Sequence, residues 1–577
     1  MDSSKPIYSE VAQCQDCYRC VRECPVKAIK VTNNQASIMS DLCIACGHCV
    51  TVCPSGAKSV RDDLNDVKSL LNRSDLVIVS LAPSFVSEFH EVGAPVLIRA
   101  LKMLGFHGVS ETALGAQQVS AQVAMDLDEH SEDKKFFLSS ACPVAVEYVM
   151  KYQPRHAHAI TRVFSPLLAH CKLLKERLGP ETRIVFIGPC IAKKLEASYH
   201  PELLDAALTF EDLRRWLDER EIRFEGIVPT EDDRFIPEKA EEGSLYPIEG
   251  GMLDATRLSC RNSDIQFISL SGIGRIEKAL QDIDANRMPR SVFLELLACE
   301  GGCVNGPKTR DCSTIKSRLD VLDYAHCALN AYPRKPSVAI DDRLKTEPVD
   351  RPSYTEEQIR DTLLRIGKHT ADDELNCGGC GYHSCRELAA AILSGKAETN
   401  MCVSYMRQLA QKKANAILRT LPCAAVLVDH DLKVIECNDE FALLGGEDVA
   451  AANEVVDGLT GATLKSIIPF ADLFQGVLDT GEDIIRKYVR CREKVLSTTI
   501  FSVEPHRVVG AILIDVTNAE MRREQIVEKA QQVIQNTLST VQDIAFRLGK
   551  SAAESELILN SIVDNFSATE YDDKEVK

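Results

Sequence analysis

Residues 14–25 read CQDCYRCVRECP, and residues 43–54 read CIACGHCVTVCP. Cys14, Cys17, Cys20 and Cys24 thus recur 29 residues later as Cys43, Cys46, Cys49 and Cys53, each run closed by a proline. A cubane [4Fe-4S] cluster needs three thiolates from one tight loop and a fourth from elsewhere, and each run offers three such cysteines and a distal fourth. Zinc ligands normally arrive as separated pairs, which this spacing does not resemble.

The rest of the composition agrees with a redox reading. The chain has 577 residues, 23 of them cysteine. In a long cytosolic chain cysteines serve as metal ligands or redox groups far more often than as disulfides. A net charge of −18 argues against a nucleic-acid binder, whose footprint is a basic face. Hydrophobic residues at 45% and charged residues at 26% are ordinary for folded soluble domains. No apolar run reaches transmembrane length, and the first ten residues, MDSSKPIYSE, lack a signal core. A cytoplasmic location is expected.

Working outward, the length suggests about four domains. Residues 1–62 hold the paired cysteine runs. Residues 63–331 alternate apolar runs such as Leu76–Leu81 and Ile184–Ile187 with helical periods such as Pro166–Leu178 and Phe210–Arg220. That alternation implies α/β layering around a mostly parallel sheet, with chemistry in loops at the carboxyl ends of strands. A Pro-rich stretch, 332–352, reads as a linker. Residues 353–412 contain four more clustered cysteines. Residues 413–518 change character, with strands expected at Ala424–Val428, Lys433–Cys437, Asp483–Cys491, Lys494–Val503 and Arg507–Val516, a small antiparallel α+β domain. In 519–577, Val527, Ile534, Val541 and Leu548 recur every seven residues, with Ala530 and Ile544 between them. This is a helix with a narrow seam that either pairs with another helix or packs back on its own domain.

The two runs at the start resemble bacterial-type two-cluster ferredoxins. The resemblance implies electron transfer and exchanged fourth ligands: Cys14, Cys17, Cys20 and Cys53 for one cluster, Cys43, Cys46, Cys49 and Cys24 for the other. Three further loops stand out: Ser139-Ser140-Ala141-Cys142-Pro143, Gly188-Pro189-Cys190-Ile191-Ala192-Lys193-Lys194-Leu195-Glu196, and Glu295 to Gly306 with Cys299 and Cys303. Together they offer four thiolates after apolar strands, enough for one more cubane. Their order and spacing resemble the three signatures of the [FeFe]-hydrogenase catalytic domain, with Ala82-Pro83-Ser84 and Gly250-Gly251-Met252 as further matches. The resemblance implies that Cys142, Cys190, Cys299 and Cys303 hold the [4Fe-4S] part of an H-cluster. Cys303 would bridge to a di-iron azadithiolate unit with CO and cyanide. Lys193 would donate to one cyanide and the Pro83–Ser84 loop would cap the other.

Departures from that family matter equally. Its first signature carries two adjacent cysteines, the first of which passes protons; here that position is Ala141. A methyl group moves no proton, and acid–base positioning is typically worth ~10²–10⁴ in rate. Residues 117–125, QQVSAQVAM, lack the carboxylates of the family's relay, and Gly188 and Leu297 replace methionines usual near the di-iron unit. Ligation is retained while proton delivery is dismantled.

Cys377-Gly-Gly-Cys380-Gly-Tyr-His-Ser-Cys385, with Cys402 further on, resembles a small single-cluster Fe–S domain. Gly378, Gly379 and Gly381 let backbone wrap close to sulfides. A zinc site is the alternative on spacing alone. Residues 421–516 resemble a PAS domain, on Leu421-Pro422, Asn438-Asp439-Glu440 and Ile514-Asp515-Val516-Thr517. Cys171, Cys260, Cys312, Cys327, Cys423, Cys437 and Cys491 read as structural thiols.

The whole order resembles the sensory [FeFe]-hydrogenases. The expected function is hydrogen or redox sensing: slow, reversible H2 oxidation at an H-cluster, relayed through Fe–S clusters and PAS to a signalling partner. A turnover hydrogenase, and an electron-transfer or interaction protein lacking the di-iron unit, are the alternatives. Four [4Fe-4S] clusters and one di-iron unit are expected. Expected partners are H2, an external electron carrier, a separate kinase, phosphatase or regulator, and a second copy of the chain through PAS and helix. Neither nucleic acid nor membrane is expected.

Overall fold

The structure is a computed structural model that describes residues 5–517 and 532–537, apart from 75, 131–133, 284–287, 311–313, 326–332, 343–346, 351 and 456. It divides into two compact units, Met1–Thr399 and Asn400–Lys577. The break falls inside the segment 353–412 expected to hold one cluster, so Cys402 belongs to the second unit and its three companions to the first.

In the first unit, the central apolar runs become strands because both of their faces are covered. Every residue of Val77–Leu81, Gly108–Glu111 and Ala206–Thr209 is buried, the pattern of parallel strands lying between helices. The parallel order is Gly108–Glu111, Val77–Leu81, Arg183–Gly188, Ala206–Thr209. A second parallel sheet runs Gln266–Ser271, Val292–Leu297, Phe136–Leu138. The sequence pattern implies one layered sheet, and the structure has two. Between Gly108–Glu111 and Phe136–Leu138 lies the helix Ala113–His130. Its 18 residues carry the chain about 27 Å at the usual helical rise. Phe136–Leu138 therefore pairs with the later Val292–Leu297 and not with the strand before it.

Local signals set the helix ends. Ser165 caps Pro166–Leu178, its Oγ accepting from the Leu168 N–H, with proline at the first turn and Gly179 beyond the end. Thr209 and Asp212 form a capping box on Phe210–Glu219. That helix turns Phe210, Leu213, Trp216 and Leu217 into the core shared by the four-stranded sheet.

Residues 7–60 form two antiparallel pairs, Ile7–Ser9 with Lys58–Val60 and Ile29–Thr32 with Gln35–Ile38. Short helices, Arg19–Glu23 and His48–Thr51, begin inside the cysteine runs. The Pro-rich stretch read as a linker is tied down over residues 333–342. Val338 and Ile340 are buried with Phe137 and Val163, the Phe164 N–H donates to the Ile340 carbonyl, and Arg334 pairs with Glu241 and Glu242. Two aliphatic side chains among the prolines give it a face to bury, and a free linker has none.

The second unit contains a five-stranded antiparallel sheet in the order Val434–Cys437, Ala424–Asp429, Val508–Asp515, Lys494–Glu504, Ile484–Cys491. Four short α-helices fill the gap between its second and third strands in chain order. Asn438 begins the first of them, its Oδ1 accepting from the Phe441 and Ala425 N–H groups while its amide donates to the Cys423 carbonyl. Cys423, Cys437 and Cys491 are buried, as is Cys171 in the first unit. Cys260 is half-buried and donates to Asp128, and Cys312 and Cys327 lie outside the described residues. Of the heptad positions only Ile534 is described; Val527, Ala530, Val541, Ile544 and Leu548 lie outside. No helix among the described residues is long and apolar enough to cross a membrane.

Candidate functional site

The carboxyl ends of both parallel sheets open on one cavity of about 100 Å³. Ala82, Pro83 and Ser84 follow Val77–Leu81, Thr112 follows Gly108–Glu111, and Pro189 and Cys190 follow Arg183–Gly188. From the other sheet, Ala141 and Cys142 follow Phe136–Leu138, and Ala298, Cys299 and Cys303 follow Val292–Leu297. Cys142, Cys190, Cys299, Cys303, Lys193, Pro83, Ser84 and Ala141, named separately from three loops and one turn, thus share one wall. Cys46, from the second cysteine run, lines the same cavity.

Crowding of the thiols defines the electrostatics. Burial pushes Cys190 up to about 11, with the Lys193 ammonium opposing. Burial and then the neighbouring thiols push Cys299 and Cys303 further still. Cys142, Cys190, Cys299 and Cys303 line one cavity and raise one another's pKa, so a cation among them would favour their ionisation together. That is the chemistry of an iron–sulfur core.

Lys193 is buried, and its ammonium donates to Glu196 Oε1 and Oε2 at 3.0 and 2.8 Å and to Ser165 Oγ at 3.2 Å. Burial alone would lower its pKa, but Glu196 and Cys190 outweigh that and raise it. All three of its protons are therefore engaged. Ser84 is the converse case. Its Oγ is buried against the cavity with no hydrogen-bond partner in the structure, and an orphaned hydroxyl of this kind is costly unless a bound group receives it.

The departures have visible geometry. A Cβ at Gly188 would lie 2.4 Å from the Phe186 ring and 2.6 Å from the Ala82 Cβ, so Phe186 takes the space a longer residue 188 would fill. Gln117 and Ser120 do sit on the buried helix above the cavity, donating to Glu242 Oε2 and bonding the Tyr246 hydroxyl.

Two groups escaped the sequence reading. Glu295, noted in sequence only as the start of a loop, is the one carboxyl among the described lining residues. Burial raises its pKa, and it accepts from Ser269 Oγ at 2.6 Å and from the Gly250 and Met252 N–H groups at 2.7 and 3.1 Å. His170 is fully buried beneath the cavity, its Nδ1 and Nε2 each 2.8 Å from Ser80 and Ser110 hydroxyls. Ser80 bonds Thr112, which lines the cavity. Burial drives His170 down to about 3. The only signal in sequence was the polar residue in each apolar strand.

In the ferredoxin-like segment, Cys20 is pushed up to about 11 by burial, and feels Cys17, Cys14 and Cys53. Cys43, Cys46 and Cys49 are raised by burial and each feels Cys24. Gly47 has φ +82°, and a Cβ there would lie 2.7 Å from both Ile191 and Pro307. Only glycine lets this loop approach the cavity wall so closely. Cys380 and Cys385 are buried and Cys377 is exposed, with the Cys385 N–H donating to Asn376 Oδ1.

Residues 75–307 match the family model "Iron only hydrogenase large subunit, C-terminal domain". Residues 6–54 match a 4Fe-4S dicluster domain, and residues 373–404 match an Fe–S cluster segment. Iron hydrogenase 1 of Clostridium pasteurianum is 25% identical over 307 residues, 44% of this chain and 53% of that protein. The chain thus spans about half the length of that relative. Nuclear prelamin A recognition factor of Homo sapiens is 25% identical over 338 residues, 47% of this chain and 74% of that protein. A solved [FeFe]-hydrogenase HydA1 of Chlamydomonas reinhardtii aligns at 16% identity and TM-score 0.40, covering 50% of this chain and all of that one. Residues 75–307 are thus similar to the carboxy-terminal domain of the iron-only hydrogenase large subunit, and the matches to Fe–S cluster segments lie on either side of them.

Proposed function

We propose that this chain is a cytoplasmic hydrogen- and redox-sensing [FeFe]-hydrogenase that oxidises H2 slowly and reversibly. The observation that carries the reading is the single cavity wall on which Cys142, Cys190, Cys299 and Cys303 converge with Lys193 and Ser84, while position 141 offers only a methyl. A di-iron azadithiolate unit, when bound, supplies the open metal site and the amine at which H2 splits. The protein supplies the rest. Cys142, Cys190, Cys299 and Cys303 would hold the iron–sulfur part of that group, and the Lys193 ammonium and the Ser84 hydroxyl would be the donors available to its anionic ligands, Lys193 giving up its longest contact, to Ser165. Ala82, Ala116, Leu167, Phe186 and Leu297 keep the pocket apolar and exclude water. Ala141 leaves the proton without its usual first acceptor, and the oxygens of Glu295 are already committed to three donors.

Cys46, which lines the cavity, would place the ferredoxin-like clusters next in line to take electrons, with the sets Cys24, Cys43, Cys46, Cys49 and Cys14, Cys17, Cys20, Cys53 as their ligands. The sequence offers Cys377, Cys380, Cys385 and Cys402 as ligands of a fourth cluster. The antiparallel sheet of the second unit, with helices between its second and third strands, supports the PAS reading and an output to a kinase, phosphatase or regulator, or to a second copy of the chain. The unpartnered Ser84 hydroxyl favours this over a hydrogenase-like protein without a di-iron unit. Infrared spectra of matured protein test it: CO and cyanide bands that shift under H2, with turnover far below a fast hydrogenase, are expected. Absence of such bands after maturation overturns the di-iron site, and fast turnover overturns the sensory role.

A further inference from the structure

The loop that carries Cys377, Cys380 and Cys385 is fastened to the ferredoxin-like segment at four points within the first unit. Arg22 Nη1 donates to the Gly379 carbonyl at 3.1 Å. Lys27 Nζ donates to the Gly381 carbonyl at 2.9 Å, and also to the Val21 and Arg22 carbonyls at 3.1 and 2.9 Å, just before Cys24. The Val31 N–H donates to the Lys396 carbonyl at 2.8 Å, so the later segment adds a backbone bond to the strand Ile29–Thr32. The Glu398 carboxylate accepts from the Asn33 and Asn34 N–H groups at 2.7 and 3.3 Å, at the turn of the same hairpin. Gly381, at φ +92°, makes the approach feasible, since a Cβ there would lie 2.9 Å from Val21 Cγ1.

These contacts select one of the two ferredoxin-like sites. Lys27 lies within the electrostatic field of both Cys24 and Cys380, and Tyr382, buried beside them, has its ring centroid 6.0 Å from the same ammonium. Cys24 is also the cysteine felt by Cys43, Cys46 and Cys49, and Cys46 reaches the central cavity. One group of thiols therefore reaches the cavity at Cys46 and, at Cys24, the field of the Lys27 ammonium that bonds the Cys377–Cys385 loop.

We propose that the Cys377–Cys385 loop is the built-in redox partner of the ferredoxin-like site containing Cys24, held there by Arg22 and Glu398, with Lys27 as the positioning cation shared by both. The inference rests on the Fe–S reading of residues 377–402. The contact lets one electron pass between the two sites, the Cys24 site being oxidised as the Cys380 site is reduced, with no bond made and no proton moved. The electron originates from H2 at the cavity or from an external low-potential donor such as dithionite. A shared ammonium stabilises whichever site holds the extra negative charge, because partial burial keeps its field from being screened.

Redox titration of the full-length, cluster-reconstituted chain, followed by electron paramagnetic resonance, tests this. Cys380→Ser first identifies the signal of the third motif. Lys27→Met should then move two signals to more negative potential, that one and one ferredoxin-like signal, leaving the others in place, and Lys27→Arg should restore both. A Lys27→Met variant that moves only one signal, or none, overturns the proposal while the third cluster stands. If Cys380→Ser removes no signal, the Fe–S reading of residues 377–402 fails and the proposal with it. Should Lys27→Met lose its iron, amide exchange in the wild-type chain decides. Val31 and Asn33 should exchange slowly and both should accelerate in Glu398→Ala; fast exchange in the wild type overturns the docking.

Discussion

Replacing Lys193 by methionine should destabilise the first unit by about 3–5 kcal/mol, the cost of breaking a buried pair by removing one partner. Both side chains are about nine-tenths covered, at 11% and 8% exposure, and both carboxylate oxygens are within 3.0 Å of the ammonium. Salt screens such a pair little. Glu196→Gln keeps an acceptor oxygen for the ammonium and should cost less, about 1–3 kcal/mol. Lys193→Met combined with Glu196→Leu removes both charges, and apolar substitutes for a buried pair are often neutral. The double variant should therefore be more stable than Lys193→Met alone. Trp216, the only tryptophan in the chain, is buried in the core of the four-stranded sheet of the same unit and reports the unfolding by fluorescence. Denaturant midpoints of the wild type, Lys193→Met, Glu196→Leu and the double variant at matched iron content complete the cycle. Single effects that add to within about 0.5 kcal/mol would refute the coupling on which this account of the lysine depends.

Ala141→Cys should raise H2 turnover of the matured protein, by less than the ~10² at the lower end for a restored acid–base group, because no carboxylate on residues 117–125 takes the proton onward; an unchanged or lower rate contradicts the assignment. His170, at about 3 in the folded chain against 6.5 normally, stays neutral where the unfolded chain takes a proton. Stability is thus full above pH 6.5 and falls as pH drops toward 3, by about 2 kcal/mol at pH 5. His170→Gln should flatten that part of the slope in Trp216-monitored unfolding between pH 7 and 5. Gly47→Ala places a Cβ 2.7 Å from Ile191 and Pro307 at positive φ, costing about 1–3 kcal/mol, and should slow reduction of the ferredoxin-like clusters by H2 while leaving reduction by dithionite unchanged.

What was legible in the sequence was whatever a short segment decides alone. Cys14 to Cys53 repeat because each loop must present three thiols within one turn, and Pro166–Leu178 was bounded correctly because Ser165, Pro166 and Gly179 are local signals. The strands Val77–Leu81 and Arg183–Gly188 were legible for the same reason, as short apolar runs. What the sequence hid depends on partners far along the chain. Nothing near Glu295 says that its carboxylate will hold the Gly250 and Met252 amides, and nothing near Lys27 says that its ammonium will reach Gly381. The Pro-rich stretch reads as a linker because prolines mark exposed connections, yet the buried Val338 and Ile340 suffice to anchor it. The same division runs through the candidate site. Its cysteines are local to their loops, whereas the company they keep is set by which distant side chains meet at the cavity. Ala141 could therefore be recognised as a missing thiol from three neighbouring letters. The pairing of Ser120 with Tyr246, and of Glu295 with the Gly250 and Met252 amides, follows from no spacing rule.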